Sequence, residues 1–302
     1  MGSRLFHSVY DLVGDTPLVR LAHVAEQGGA EIWAKLEARN PGGSVKDRPA
    51  RAMILAAESS GQLRTGSTIV EATSGNTGIS LAMLAAVRGH RCMLAMPEDM
   101  SSARQMLLRT YGADLVLTPA QQGMLGAVEE AERIVARTKG AWMPRQFENP
   151  ANPACHEQTT AVEIYEATSG KLDAFVAGVG TGGTLTGVAR GLRARGLSIK
   201  VHAVEPKTSA VLSGGKPGLH GIQGLGAGFV PKVLEVALID DVIAVSDLDA
   251  ERMTARLSRE EGLFVGPSSG ANVHAAVKVA SRMLPSQRVV TILCDTGERY
   301  QV

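Results

Sequence analysis

GVGTGGTLTG, Gly178 to Gly187, follows the apolar run AFVA and opens a stretch of helical period. A short apolar run entering a glycine-rich turn and leaving as a helix is the repeating unit of α/β folds built on parallel sheets. Small residues at the turn let successive backbone N–H groups converge on an anion at the positive end of the helix dipole, and Thr181 and Thr184 add hydroxyl donors. Phosphate binding is the functional reading; a turn that needs glycine only for close packing is the plain one. The stretch also satisfies G-x-G-x-x-G from Gly178 to Gly183, and Glu205 stands about 20 residues on, the spacing of an acidic residue that holds a ribose. A nicotinamide-dependent oxidoreductase therefore stays open at this point.

Outward from this turn the same alternation runs through the chain. Strands are predicted near Ile32–Leu36, Thr68–Glu71, Arg91–Met96, Asp114–Leu117, Ala174–Gly178, Lys200–Glu205, Ile243–Val245 and Val289–Cys294. Helices are predicted over Lys46–Ser59, Asn76–Arg88, Ser101–Tyr111, Met124–Thr138, Pro153–Thr168, Gly183–Ala194, Leu248–Glu260 and Ser269–Leu284. QFENPANP, Gln146 to Pro153, is the clearest break between two α/β halves. The non-periodic stretch from Pro206 to Pro231 is long for a structureless loop, which points to a functional one.

Composition limits the partners. Over 302 residues, 31 basic and 30 acidic side chains give a net charge of +1, so no general attraction to nucleic acid or an anionic membrane is expected. Aromatics are 4%, too few for a base-stacking surface. Cys92, Cys155 and Cys294 form no C-x-x-C pair, and the histidines show no ligand spacing, so neither a disulfide framework nor a metal site is indicated. The N-terminus lacks an apolar leader, and no run is long enough to span a bilayer, so a cytoplasmic location is expected.

Two further strand-to-helix junctions carry polar groups. EATSGNTG, Glu71 to Gly78, sets Thr73, Ser74, Asn76 and Thr77 around Gly75, and GPSSGA, Gly266 to Ala271, offers Ser268 and Ser269. Each alone is explained by helix capping; two anion-binding helix starts together suit a ligand pair with separated phosphate and carboxylate groups. PGGSVKDR, Pro41 to Arg48, places Lys46 at a helix start. That environment disfavours the ammonium form, and a neutral amine is what Schiff-base chemistry with a carbonyl cofactor requires.

Taken with GDTPLVRL, MPEDMS, QFENPANP, IQGLGAGFVP and DTGERY, these motifs resemble, in order and over nearly the whole chain, the O-acetylserine sulfhydrylase (cysteine synthase) family of tryptophan synthase β-like enzymes. The resemblance implies a fold type II pyridoxal 5'-phosphate (PLP) enzyme with two three-layer αβα domains of mostly parallel twisted sheets and the cofactor between them. The smaller, mobile domain would be 38–145, closing on the substrate carboxylate; the larger would be 1–37 plus 146–302. Residue by residue it implies that Lys46 carries PLP as an internal aldimine and acts as the base. Asn76 would bond the ring hydroxyl, Gly180, Thr181, Gly182, Gly183 and Thr184 would cradle the phosphate, and Ser268 would face the pyridine nitrogen. Thr73, Ser74, Asn76, Thr77 and Gln146 would hold the substrate carboxylate. The implied reaction replaces acetate of O-acetyl-L-serine by sulfide through an α-aminoacrylate to give L-cysteine. A cystathionine β-synthase-like condensation with homocysteine is the alternative. A homodimer, and a cleft that receives a serine acetyltransferase C-terminal tail, follow from the resemblance alone.

Overall fold

The computed structural model describes residues 5–300. In chain order the strands are β1 (Leu18–Leu21), β2 (Glu31–Leu36), β3 (Thr68–Ala72), β4 (Arg91–Pro97), β5 (Asp114–Thr118), β6 (Ala141–Trp142), β7 (Ala174–Gly178), β8 (Lys200–Pro206), β9 (Asp241–Val245) and β10 (Arg288–Leu293). The α-helices are α1 (Asp47–Ser59), α2 (Asn76–Arg88), α3 (Ser102–Thr110), α4 (Gly123–Arg137), α5 (Ala151–Cys155), α6 (Ala161–Thr168), α7 (Gly183–Ala194), α8 (Asp247–Glu260) and α9 (Pro267–Ala280). Two compact units result. One joins the segment ending at Val13 to Asn40–Ala151; the other joins Gly14–Arg39 to the chain from Asn152 onward.

The first unit is built on a parallel sheet of order β5-β4-β3-β6. All five residues of β3 are buried, as a strand covered on both faces must be. Alternation of side chains sorts them: Ile69 joins Cys92, Leu94 and Met96 under α1, α2 and Leu108 of α3, whereas Val70, Ala72 and Ala95 pack on Ala127, Ala131 and Ile134 of α4. Three layers follow directly from that period of two.

The second unit has a six-stranded sheet of order β1-β2-β10-β7-β8-β9, parallel except for β1 against β2. Ile32, Ala34, Val176, Val204, Val289 and Leu293 face one layer with α8 and α9. Phe175, Ala177, Val201, Ala203, Val290 and Ile292 face the layer with α6 and α7.

Three details differ from the sequence reading. The start of the chain, expected to pack with the C-terminal half as part of 1–37, instead gives Tyr10 and Val13 to the core of the first unit, with Arg88 of α2 lying 5.4 Å over the Tyr10 ring. The helix expected over Pro153–Thr168 is three pieces, because a π turn at His156–Thr160 joins α5 to α6. β1 and β6 were absent from the expected strands: β1 is a half-exposed edge of four residues and β6 has only two. Among the described residues no helix is long and apolar enough to cross a membrane, and no group of three or more His, Cys, Asp or Glu is placed to hold a metal ion.

Candidate active site

Lys46 is the N-cap residue of α1, partly buried, and its side chain caps nothing. Among the described residues its amine makes no hydrogen bond or ion pair. Lys35 shows the opposite treatment. It is 1% exposed, forms an ion pair with Glu163 at 2.6 Å and donates to the Thr16 carbonyl. Burying an ammonium group costs several kcal/mol unless it is paired, so Lys35 is a structural cation, whereas Lys46 is available for chemistry.

The loop that presents Lys46 is fixed by Asp47. Its Oδ2 accepts the Gly42 N–H at 2.6 Å, and its Oδ1 accepts the Ser80 hydroxyl from the second turn of α2. Ser80 is also within 3.0 Å of the Asn76 carbonyl, so the PGGSVK loop and the start of α2 are tied through one buried carboxylate.

That start of α2 follows β3 through Thr73, Ser74 and Gly75. Gly75 is the N-cap and offers no side chain to the helix, so the first N–H groups of α2 keep their anion-binding capacity. Thr73 Oγ1 accepts only the Gly75 N–H, at 3.3 Å. Thr77 donates its hydroxyl to Gln146 Oε1 at 2.7 Å, so the structure brings together two residues 69 positions apart. Ser74 and Asn76 are partly exposed around the same turn.

Glu71, one residue before β3 ends, was not among the expected site residues. It is 4% exposed; its Oε1 accepts the Ala72 N–H and its Oε2 the Arg145 N–H, both at 3.0 Å, and the Gln146 N–H also bonds to it. Burial pushes its carboxyl up to about 7, against the pull of those three N–H groups. Arg145 has φ +52°, a left-handed conformation that costs a residue with a Cβ roughly 1–2 kcal/mol. A lone carboxylate in the apolar run TIVEA was the available signal.

In the second unit the turn between β7 and α7 has the anion-binding plan. Gly182 is the N-cap at φ +82° and has no side chain of its own to cap the helix. Gly180 lies so close to the chain that a Cβ there would meet the Gly224 carbonyl oxygen at 2.2 Å. Thr181 Oγ1 accepts from Asn152 Nδ2 at 3.0 Å and from the Gly183 N–H at 3.3 Å, which leaves its own proton to donate. Thr184 Oγ1 is 3.2 Å from His156 Nε2, and His156 Nδ1 is 2.9 Å from Thr160 Oγ1, a use for the π turn. Gly224 links this turn to α9: the position of a Cβ on it is 3.8 Å from Ser268 Oγ.

Ser268 and Ser269 separate clearly. Ser269 Oγ accepts the Cys294 N–H at 2.8 Å, whereas Ser268, 3% exposed, has a hydroxyl without a hydrogen-bond partner among the described residues. Glu205, the acidic residue of the dinucleotide alternative, is occupied too. Its carboxylate accepts the N–H groups of Leu212 and Ser213 and the Ser213 hydroxyl, and so pins the loop after β8.

Residues 9–295 match the family described as pyridoxal-phosphate dependent enzyme. The chain belongs to the pyridoxal-phosphate dependent enzyme family. Within that family it is 47% identical over 301 residues to the cysteine synthase of Staphylococcus aureus (strain Mu50 / ATCC 700699), covering 99% of this chain and 97% of that one. Among solved structures it is similar to an O-ureido-L-serine synthase, at 45% identity and a TM-score of 0.95, covering 98% of this chain and 94% of that one. It is also similar to the cysteine synthase of Entamoeba histolytica, at 41% identity and a TM-score of 0.94, covering 99% and 91%. The residues present fit PLP on their own chemistry: an amine without a partner for an aldehyde, a glycine-started helix with two hydroxyls for a phosphate, and, on the buried Ser268, a hydroxyl without a partner among the described residues for a ring nitrogen.

Proposed function

We propose that this chain is a cysteine synthase, replacing the acetate of O-acetyl-L-serine by sulfide to give L-cysteine and acetate. The observation that carries the reading is Lys46, whose unpartnered amine is tied through Asp47 and Ser80 to an uncapped helix start lined with hydroxyls. Near full-length similarity to cysteine synthases supports it.

In this reading Lys46 holds PLP covalently, Asn76 meets the ring hydroxyl, Gly180, Thr181, Gly182, Gly183 and Thr184 hold the phosphate, and Ser268 meets the pyridine nitrogen. The cofactor supplies a sink for the electron pair left at the α-carbon. A neutral serine at the nitrogen, where a carboxylate would keep the ring protonated, favours prompt departure of the β-substituent. Thr73, Ser74, Asn76 and Thr77 bind the substrate carboxylate at the start of α2. Gln146 joins them, its Oε1 accepting the Thr77 hydroxyl. Lys46 would take the α-proton, and the C–O bond to acetate would break at the β-carbon. Sulfide then forms the C–S bond there, and Lys46 returns a proton to the α-carbon.

Residues 40–151 thus serve the substrate and 152 onward the cofactor phosphate. A cytoplasmic homodimer that receives a serine acetyltransferase tail belongs to the same proposal and is supported by the resemblance alone. Sulfide is the expected nucleophile, thiosulfate the second and homocysteine the third. The holoenzyme, preloaded with O-acetyl-L-serine and offered each donor in turn, tests this. A larger second-order rate constant with homocysteine than with sulfide would move the assignment to cystathionine synthesis.

A further inference from the structure

Glu71 is a buried carboxylate that the proposed reaction leaves without a role. It sits on the central strand of the first unit, directly before the Thr73–Thr77 turn, and its oxygens collect the N–H groups of Ala72, Arg145 and Gln146. Two of those three donors belong to a segment 74 and 75 positions further along the chain, at a left-handed non-glycine residue that L side chains rarely adopt. From that bend Gln146 reaches Thr77. Arg145 itself extends its guanidinium to Glu132 at 3.2 Å, on an exposed pair.

We infer that Glu71 is a positioning residue for the substrate carboxylate site, holding the Arg145–Gln146 backbone so that Gln146 meets Thr77 in the orientation that grips the amino acid. This rests on the reading above, in which Thr77 and Gln146 bind that carboxylate. The chemistry is one of acceptors. A carboxylate takes several N–H groups at once, whereas a glutamine in its place offers one carbonyl oxygen and sets an NH2 group against N–H donors. Glu71→Gln keeps the shape and removes the grip on the bend, so Gln146 is released while Lys46 and the loop at Gly180 are untouched.

The test is a double-mutant cycle on the holoenzyme at pH 8, with L-serine as a probe that carries the carboxylate but a poor leaving group. Binding is read from the change in cofactor absorbance. Glu71→Gln should weaken L-serine about fivefold, no more than Gln146→Ala does, and should have less than about a twofold effect in the Gln146→Ala background. PLP content should equal that of the wild type in all variants. Additive effects, unchanged binding in Glu71→Gln, or loss of PLP in step with binding would each overturn the inference. If Gln146→Ala itself left L-serine binding unchanged, the carboxylate site would be misassigned, an outcome separate from the others. Should Glu71→Gln fail to fold, Glu71→Asp, which keeps the charge and withdraws it by one methylene, should give a smaller loss that again vanishes with Gln146→Ala.

Discussion

Two strand-to-helix turns, Thr73–Thr77 before α2 and Gly180–Thr184 before α7, both begin their helix on a glycine without a side-chain cap, yet they are held by different means. The second is hemmed in by close neighbours: the Gly224 carbonyl and the side chains of Leu234 and Asn152 occupy the space where side chains would stand on Gly180, Gly182 and Gly183. The first stands open, for a Cβ on Gly75 would meet nothing within 4 Å, and its shape is kept from behind by Asp47 and Glu71. A turn with no freedom suits a phosphate that stays through every turnover. A turn with open space in front and carboxylates behind suits a carboxylate that enters and leaves each time.

The comparison breaks most severely at the lysine. Lys46→Ala should lower β-replacement by at least about 10³-fold in a steady-state assay, since in the proposed reaction one amine both anchors the cofactor and moves the proton. Borohydride reduction of the wild type should label the peptide containing Lys46; a label on Lys35 would reverse the roles argued for the two lysines.

Next come paired glycine substitutions. Gly180→Ala forces a methyl group onto the Gly224 carbonyl, and overpacking of this kind costs about 1–3 kcal/mol. Thermal midpoint and PLP content should both fall. Gly75→Ala, at φ −106° and in open space, should leave both near the wild type, within about 0.5 kcal/mol, and weaken only substrate binding. Equal effects at the two positions would erase the distinction between the turns.

Smaller again is the loss of one hydrogen bond to a charged ligand. Thr77→Ala and Gln146→Ala should each reduce affinity for O-acetyl-L-serine about tenfold or more, from about 1.5–3 kcal/mol per bond, with cofactor absorbance unchanged before substrate is added. Titrations that overlay the wild type would remove the carboxylate role.

A further effect concerns pH. The folded protein holds the Glu71 carboxyl at about 7 against 4.5 for the free side chain, so between those values it keeps a proton that the unfolded chain releases. The contribution of Glu71 to stability therefore declines as pH rises from 4.5 to 7 and is level outside that window. The midpoint of the wild type minus that of Glu71→Gln, measured by calorimetry across the range, should fall through that window. A flat difference would mean the carboxyl is not perturbed.

Much of this was legible in the amino-acid sequence. α2 and α7 have the limits predicted, Asn76–Arg88 and Gly183–Ala194, because a glycine-rich turn and a helical period are local signals. Local signals fail where a distant partner decides. Tyr10 is placed by α2, the helix before α6 yields a π turn to α7, and the role of Glu71 depends on N–H groups 74 positions away. Ser268 and Ser269 look alike in GPSSGA; only the Cys294 N–H tells them apart.

The pairing of β2 with β10 sets a schedule for synthesis. Glu31 and Arg288 bond across 257 positions, so β2 leaves the ribosome long before its neighbour exists. At about 5–20 residues per second the wait is of the order of ten seconds to a minute. Residues 40–151 complete their own sheet meanwhile, while Ile32 and Ala34 wait beside Lys35, whose partner Glu163 is also still to come. The nascent chain is therefore most exposed to aggregation between completion of its first unit and arrival of β10, and a chaperone that shields 18–36 over that interval should raise the yield of folded protein.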